Sequence, residues 1–460
     1  MDQGVGVSRV IARHVVGTRF DALPAEAVAA AKASLLDAVG VTLAASSLGE
    51  AAAPFAEIAR QAEHPRGATV IGFGFKAAPA MAAFANGAMA HSLDYEDTFD
   101  EALVHPNAAV VPAALAVAET ARAPIDGREL IAAIALGADL SCRLGLAVDG
   151  HERPGTSVRF MAGALAATAA AGRLLGLDEN RLIEAFALAQ FQIAFPSETM
   201  GYAPSHMRAV REAFAAKAGV LAAQLAAGGV RAFDKPFEGR HGFFGLYTDS
   251  ADGAERLLDG LGRDFPAARV SFKPWPSCRG THAFIEAALW MVESEGVRPD
   301  AVAAAEAVIS PFFRALCEPP ERKRRPATAI DAKFSVPFTV ATALGKGRVG
   351  LDCFDTAAMA DGATLALADR IGHRVETGWN TAEATRGVLN LTTRDGRMLS
   401  RSIEAPLGHP DHPMSPAAMA AKFAECATYA RVPLDGGRAD RIAETVAGLE
   451  RVSDVASLIG

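Results

Sequence analysis

Helical periodicity built from small apolar side chains dominates the first 262 residues, and it limits the fold more than any other feature. The segment from Glu129 to Leu146 is apolar on nearly every side, as is typical of a helix buried inside a helical bundle. Pro24 is expected to open another helix, in which apolar residues recur at helical spacing from Leu35 to Leu43. Ala68 to Gly72 is the clear strand signal in this half.

The pattern changes after Asp264. From Arg269 to Trp275, apolar and polar residues alternate and strand-forming residues are frequent, which predicts a strand. Val388 to Thr393 and Met398 to Ile403 flank a turn-forming Arg-Asp-Gly-Arg segment, which predicts a β-hairpin. Val336 to Leu344 is predicted to be helical, and helical patterning returns from residue 414 onward.

The predicted fold class is therefore mainly α, with a large all-helical domain and a smaller α/β lid domain. A chain of 460 residues exceeds what one ordinary core accommodates, so two domains are expected. The large domain is placed at residues 1–264 and 406–460, and the lid domain at 265–405. A ligand site between two such domains is the usual arrangement.

Charge and cysteine content exclude several classes of protein. A net charge of −8 disfavours a nucleic-acid partner. The five cysteines include no CxxC pair, which argues against a structural zinc site or disulfide framework and fits a reducing cytoplasm. No signal peptide is recognised. No membrane span is expected either, because charges such as Asp139 and Arg143 interrupt the apolar runs.

The stretch from Asn86 to Pro106 concentrates ionisable groups in an otherwise alanine-rich chain. If residues 86–98 form a helix, His91, Asp94 and Thr98 follow i, i+3, i+7 spacing and share one face. His105 follows shortly afterwards. Such a concentration of acid–base groups predicts a polar function, and we expect an active site here.

Several motifs resemble the MmgE/PrpD family, which includes 2-methylcitrate dehydratase, cis-aconitate decarboxylase and iminodisuccinate epimerase. The most specific are the Asn86-Gly87 to Asp97-Thr98 motif followed by His105-Pro106, and Lys273-Pro274-Trp275-Pro276-Ser277-Cys278. The resemblance implies a helical domain, an α/β lid, a homodimer, and a site in an interdomain cleft with no metal or cofactor. It also implies a small anionic carboxylate as substrate and α-proton abstraction as the shared chemical step.

The resemblance maps four residues onto catalytic positions. His105 is expected to carry the proton, and Lys273 to clamp a carboxylate or donate a proton. Asp94 would orient an imidazole or a cation, and Thr98 would donate its hydroxyl to a substrate oxygen. Each has a structural alternative: His105 as a helix cap, Asp94 as a cap or surface residue, Thr98 as a backbone-bonded hydroxyl and Lys273 as a solvated strand-edge residue.

Other positions are expected to contact substrate, although some depart from the family pattern. Ser157 stands where the family usually has a catalytic histidine, for which His151 is a spatial substitute to consider. Arg208 and Arg211 replace a Lys-x-x-His pair and, as i, i+3 helix neighbours, could hold one carboxylate together; the alternative is a pair of surface arginines. Asp97 is expected to be a cap or surface residue. The remaining expected contacts are His91 and His282, the latter with a packed core histidine as its alternative.

Five functions remain open at this point. The leading hypothesis is a cofactor-independent lyase, specifically a hydro-lyase, acting on a small di- or tricarboxylate. An epimerase or isomerase, or a decarboxylase of the cis-aconitate type, is an alternative enzyme. A carboxylate-binding protein without catalysis is the alternative outside enzymes. A metal-dependent hydrolase that uses His91, Asp94 and His105 is the weakest hypothesis.

Overall fold

The chain divides into two compact units in the computed structural model, which describes residues 6–200 and 205–459. The first unit comprises Met1–Val270 and Ser415–Gly460, and the second comprises Ser271–Met414. The sequence predicts these boundaries after residues 264 and 405. Helices predominate and the sheets are small, so the protein is a mainly α, two-domain chain.

The first unit is built mostly from helices. In chain order these are α1 (Val7–Gly17), α2 (Ala25–Leu48), α3 (Ala52–Arg60), α4 (Pro79–Ser92), α5 (Asn107–Thr120), α6 (Gly127–Val148), α7 (Val158–Leu174), α8 (Glu179–Gln190), α9 (Met207–Val210), α10 (Glu212–Ala227), α11 (Phe243–Tyr247) and α12 (Gly253–Arg256). An antiparallel pair, β1 (Glu63–Val70) and β2 (Phe75–Ala77), accompanies them. The unit is therefore not all-helical as predicted, although β1 overlaps the strand expected at Ala68.

Glycines allow the central helices to approach closely. A Cβ atom on Gly87 of α4 would lie 2.8 Å from the carbonyl oxygen of Glu212, and one on Gly219 of α10 would lie 2.6 Å from Cβ of Ala167 in α7. Neither position has room for a larger side chain, because helix backbones in contact leave only the volume of a hydrogen atom there. This packing places the end of α4, which carries His91, close to the start of α10.

Two helices in the first unit are long and apolar enough to cross a membrane by length and composition alone, against the expectation from sequence. They are α2 and α6, whose apolar windows are 72% and 94% buried inside the protein. In α6 the charged residues Asp139 and Arg143 form an i, i+4 ion pair of 2.6 Å, so they do not interrupt the helix. Core helices of soluble proteins meet the same criteria, so this is weak evidence for a membrane.

The second unit combines a mixed sheet with helices. The helices are α13 (His282–Glu293), α14 (Pro320–Arg324), α15 (Ala329–Lys333), α16 (Val336–Lys346), α17 (Thr356–Met359) and α18 (Gly362–Ala368), and the strands are β3 (Val302–Ile309), β4 (Ile371–Val375), β5 (Gly387–Thr393) and β6 (Met398–Ile403). The strand order is β4-β3-β5-β6, with β3 parallel to β4 and antiparallel to β5. Leu389 and Leu391 of β5 face a core that α13 and α16 complete.

Two local predictions for the second unit had opposite outcomes. The β5–β6 hairpin and the helix from Val336 are confirmed; Ser335 caps that helix by accepting a hydrogen bond from the backbone N–H of Phe338. The strand predicted from Arg269 to Trp275 was wrong, because Pro266–Arg269 forms a 3₁₀ turn and irregular chain follows. Pro274 has no N–H to donate and restricts the residue before it, which disfavours a strand here.

The C-terminal segment returns to the first unit as α19 (Pro416–Thr428) and α20 (Arg438–Ala447). Helix α19 packs directly on α2, because Gly40 of α2 leaves space for Phe423: a Cβ on Gly40 would lie 3.0 Å from the Phe423 ring. The return predicted from residue 414 onward therefore brings the last helices to α2, which also contacts α4 and α5.

Candidate active site

The end of α4 and the segment after it gather two imidazoles around one carboxylate. Nδ1 of His91 lies 2.6 Å from Oε1 of Glu96, and Nδ1 of His105 lies 2.7 Å from the same oxygen. The two imidazole rings are 4.8 Å apart and nearly perpendicular. A backbone hydrogen bond from Phe99 to Val104 turns the chain back, and this turn is what returns His105 to Glu96.

The exposed fractions of these side chains differ. Glu96 is 1% exposed and His91 is 4% exposed, whereas His105 retains 14%. Burial and the positive charge of Arg211 lower the pKa of His91 to about 3, and the opposing effect of Glu96 is smaller. His91 is therefore neutral at pH 7. Because a carboxylate only accepts hydrogen bonds, each Nδ1 donates to Glu96, and Nε2 of His105 is left as the basic nitrogen.

The helix predicted over residues 86–98 was wrong in its second half. Helix α4 ends at Ser92, and Asp94 has a φ of 51°, a left-handed conformation that no α-helix contains. Aspartate tolerates this conformation better than most residues, and the Asp94 N–H donates to the carbonyl oxygen of His91. His91, Asp94 and Thr98 therefore do not share a helix face, although all three are buried in this unit.

Thr98 lies in the segment that follows Asp94. Its hydroxyl donates a 3.5 Å hydrogen bond to Oδ1 of Asp100, and its side chain is 2% exposed. The alternative considered from the sequence was a Thr98 hydroxyl bonded to the backbone. In this contact the acceptor is instead the side-chain carboxylate of Asp100. Its predicted role as a donor to substrate stays a prediction.

Asp97 is neither a cap nor a surface residue, so that expectation was wrong. It is 1% exposed, and its Oδ2 accepts hydrogen bonds from Ser34 of α2 at 3.0 Å and from the amide of Asn107 at 2.5 Å. Burial raises the pKa of Asp97 to about 7 despite these hydrogen bonds. Asp97 therefore ties the segment containing Glu96 to α2 and to the start of α5.

Two arginines lie at the junction of α9 and α10. The guanidinium of Arg211 pairs with Glu212 at 3.1 Å, lies 3.7 Å from the centre of the Phe160 ring, and donates through Nη1 to the carbonyl oxygen of Arg208. Burial lowers the pKa of Arg211 to about 10 and raises that of Glu212 to about 7. Arg211 is thus a buried, fixed cation beside His91, while Arg208 is half-buried.

Arg208 and Arg211 were expected to bind one carboxylate together from neighbouring positions of one helix, and the backbone geometry found is different. Helix α9 ends at Val210, so the two residues do not lie on one uninterrupted helix. The charge of Arg208 is near enough to help lower the pKa of Arg211. Arg211 already has a carboxylate partner in Glu212, so its charge is partly compensated.

Ser157 and His151 lie at the start of α7 and before it. Ser157 is the residue before the first turn of α7, and its backbone N–H donates to the carbonyl oxygen of Phe195. His151 forms an ion pair of 3.3 Å with Asp249. The structure therefore gives His151 a surface partner of its own, and its role as a substitute catalytic histidine stays an untested idea.

Two predicted site residues belong to the second unit. Lys273 is fully buried in the segment that precedes α13, so the solvated strand-edge alternative is wrong for this residue. His282 begins α13, where its Nε2 lies 3.2 Å from the carbonyl oxygen of Ser277 and its ring packs edge-on against Trp275 at 5.3 Å. These contacts show the packed histidine considered from the sequence, and a substrate contact for either residue stays a prediction.

The two imidazoles and the carboxylate also have the composition of a metal-binding group. Among the described residues, His91, Glu96 and His105 form the one such group, with ligand atoms within 4.8 Å of one another. The hydrolase hypothesis requires Asp94 as a ligand, but Asp94 does not belong to this group. Two ligand atoms that each lie about 2.1 Å from a zinc ion in tetrahedral geometry are roughly 3.4 Å apart. Oε1 of Glu96 is closer than this to both imidazoles, at 2.6 Å from Nδ1 of His91 and 2.7 Å from Nδ1 of His105. The spacing fits shared protons better, and the nearby Arg211 disfavours a further cation.

Comparison with known proteins decides the family. The MmgE/PrpD N-terminal domain profile matches residues 9–255, and the MmgE/PrpD C-terminal domain profile matches residues 275–449. The chain belongs to the MmgE/PrpD family. This confirms the resemblance drawn from the motifs around His105 and Lys273.

Similar curated proteins carry decarboxylase names. The chain is 26% identical to cis-aconitate decarboxylase of Aspergillus terreus over 99% of its own length and 95% of that protein. It is 25% identical to a cis-aconitate decarboxylase-like protein of Aspergillus oryzae, covering 95% and 93% of the two chains. Human cis-aconitate decarboxylase is 31% identical over 46% of this chain and 44% of that protein. These relatives support an enzymatic, lyase-like role for this family member.

Sequence reasoning missed several residues of this site. Glu96, Asp97, Ser34, Asn107 and Glu212 were given no catalytic or supporting role. Ser34 lies in α2, far from Glu96 in sequence, and Asn107 begins α5, so periodicity carried no signal for them. The segment Asp94-Tyr95-Glu96-Asp97 did carry one, because clustered acidic residues in an apolar chain require partners.

Proposed function

We propose that this MmgE/PrpD family member is a cofactor-independent hydro-lyase that acts on a small di- or tricarboxylate, with His105 as the base. The observation that supports this proposal most directly is the pairing of His105 Nδ1 with the buried Glu96 carboxylate. This pairing leaves Nε2 of His105, the more exposed of the two imidazoles, able to accept a proton. Glu96 fixes the ring orientation and stabilises the imidazolium once the proton has moved.

The proposed reaction begins with transfer of a proton from the carbon next to a carboxylate to Nε2 of His105. The electron pair of the broken C–H bond delocalises into that carboxylate as an enediolate. It then forms a carbon–carbon double bond as the hydroxyl on the neighbouring carbon leaves with a proton as water. Lys273 is proposed to hold the carboxylate or to supply that proton, and Thr98 to hydrogen-bond a substrate oxygen.

The other predicted contacts are assigned from their charge and burial. Arg211 is proposed to contribute a fixed positive potential rather than a direct two-point contact, because Glu212 already occupies part of its guanidinium. Arg208 is then the better candidate for a direct contact with a substrate carboxylate. His91 is proposed to support Glu96, since it is buried and neutral. Asp94, Ser157 and His282 are kept as proposed substrate-facing or orienting residues.

Decarboxylation is the second candidate, and the names of the similar proteins favour it. Two positions weigh against decarboxylation by the residues usual in the family. Ser157 stands in place of a histidine, and Arg208 in place of a lysine that can exchange protons. Arginine remains charged at any ordinary pH and cannot take over that proton transfer. The hydro-lyase proposal needs one base and one acid, and His105 and Lys273 suffice for these roles.

A panel of hydroxylated and unsaturated di- and tricarboxylates tests the proposal. Incubation with the purified protein is expected to produce the absorbance of a new conjugated double bond without release of carbon dioxide. Carbon dioxide release identifies the decarboxylase instead. Deuterium incorporation from heavy water without a new double bond identifies an epimerase. Saturable binding without any of these reactions overturns the enzyme proposal in favour of a carboxylate-binding protein. The homodimer and the cytoplasmic location stay predictions, which size-exclusion chromatography and cell fractionation test.

A further inference from the structure

The C-terminal helix α19 reaches the backbone of the candidate active site through one buried lysine. Nζ of Lys422 donates a 2.7 Å hydrogen bond to the carbonyl oxygen of Tyr95, which lies between Asp94 and Glu96. The same ammonium forms a 2.6 Å ion pair with Asp37 of α2 and lies 3.9 Å from the centre of the Tyr95 ring. Lys422, Asp37 and Tyr95 are each less than 7% exposed.

These contacts act on a backbone that needs support. Asp94 adopts a left-handed conformation at φ 51°, which costs free energy in a residue with a side chain. A buried carbonyl oxygen next to that residue also requires a hydrogen-bond donor. An ammonium is a strong donor, and Asp37 compensates its charge in the same place.

Helix α2 holds the other side of the same segment. Ser34 of α2 donates to Asp97, and Asp37 lies one helical turn further along, at i+3 from Ser34. One face of α2 therefore contacts the chain on both sides of Glu96. Ser34 contacts Asp97 directly, and Asp37 contacts the Tyr95 carbonyl through Lys422. Any shift of Tyr95 would move Glu96, and with it the oxygen that both imidazoles share.

From these contacts we propose that Lys422 is a positioning residue for the active site: it fixes residues 93–98 so that Glu96 holds His105. The C-terminal segment is then a functional part of the site, not only a packing element. This inference rests on the proposed function for its catalytic consequence, but its structural consequence can be measured without any substrate.

A matched control is available in Lys32, which also joins α2 to the C-terminal segment. Its Nζ pairs with Glu450 at 2.7 Å and donates to the carbonyl oxygen of Ala447. Lys32→Met thus removes a lysine tether between the same two parts of the chain without touching residues 93–98. Any effect shared by Lys32→Met and Lys422→Met reports general loosening of the C-terminal segment.

Hydrogen–deuterium exchange of the intact protein, followed by mass spectrometry, tests the inference. Lys422→Met is expected to speed exchange in the peptide covering residues 93–98 by about tenfold or more, whereas Lys32→Met leaves that peptide unchanged. If Lys422→Met does not fold, Asp37→Asn provides the same comparison, with a smaller expected increase. Unchanged exchange in the folded variant, or equal increases in both lysine variants, overturns the inference.

The catalytic consequence is measured separately once a substrate is known. Lys422→Met is expected to lower kcat at least about tenfold with little change in KM, and Lys422→Arg to recover part of the loss. An unchanged kcat despite faster exchange shows that residues 93–98 are held by Lys422 but that catalysis does not depend on it, which overturns the positioning role. Absence of any turnover in the unsubstituted protein overturns the proposed function and leaves the exchange result standing.

Discussion

Nδ1 of His105 lies 2.7 Å from Oε1 of Glu96, although the two residues are separated by a turn and belong to no common helix. His105 directly precedes Pro106, the N-terminal cap position of α5, whereas Glu96 follows the end of α4. The Phe99–Val104 bridge sets their separation. A carboxylate that accepts from the imidazole is the arrangement that orients a histidine for proton transfer.

Replacing His105 with asparagine tests the proposed base. Turnover is expected to fall roughly a hundredfold or more, the usual scale for lost acid–base help, while the variant keeps its melting temperature within a few degrees. His64→Asn is the matched control, because that histidine is exposed and was assigned no role in the candidate site. Equal kcat values for His105→Asn and the unsubstituted protein would remove His105 from the mechanism.

The buried Asp97 predicts a pH dependence of stability. Its pKa is raised from 3.8 to about 7 in the folded protein, so the folded state holds this proton over a range in which the unfolded chain releases it. The contribution of Asp97 to stability is therefore fully present below about pH 4 and is lost as the pH rises towards 7. Asp97→Asn removes this dependence while keeping the size of the side chain.

Thermal unfolding between pH 4 and pH 7 measures this effect. The melting temperature of Asp97→Asn relative to the unsubstituted protein is expected to rise steadily across the range. Asp234→Asn, at an exposed residue, is the control and should show no such trend. A constant difference between Asp97→Asn and the unsubstituted protein would show that Asp97 does not titrate as proposed.

Replacing Lys273 with methionine tests the proposed contribution of the second unit. The variant is expected to raise KM for the anionic substrate by about tenfold or more through loss of the carboxylate contact, or to abolish turnover if Lys273 also supplies a proton. Lys346→Met, at an exposed position of the same unit, is the control. Kinetics of Lys273→Met that match those of Lys346→Met would mean that this unit does not supply the carboxylate clamp.

Treatment with a chelator tests the metal hypothesis for His91, Glu96 and His105. The short distances from Oε1 to the two imidazole nitrogens favour shared protons, so full turnover is expected after exhaustive chelation and removal of the chelator. Isothermal titration with zinc ions provides a second readout that does not depend on activity. Loss of turnover that added metal restores, together with stoichiometric zinc binding, would contradict the proton-transfer interpretation.

Motif spacing predicted which segment gathers ionisable side chains better than it predicted the local backbone of that segment. The family resemblance identified the segment from Asn86 to Pro106, yet helical spacing wrongly placed His91, Asp94 and Thr98 on one face. Asp94 adopts a left-handed conformation, and the carbonyl oxygen of the next residue, Tyr95, accepts a hydrogen bond from Lys422, which is distant in sequence. Periodicity detects neither feature.

The sequence by itself determined the family, the mainly α character, and the β5–β6 hairpin, because these depend on local motifs and periodicity. Tertiary structure alone decided that Asp97 is buried, that Lys422 pairs with Asp37, and that Glu96 is shared by two imidazoles. The physical reason is that the cost of burying a charge is met by groups brought together only by folding. Lys422 shows this most directly, since its partner Tyr95 precedes it by 327 residues.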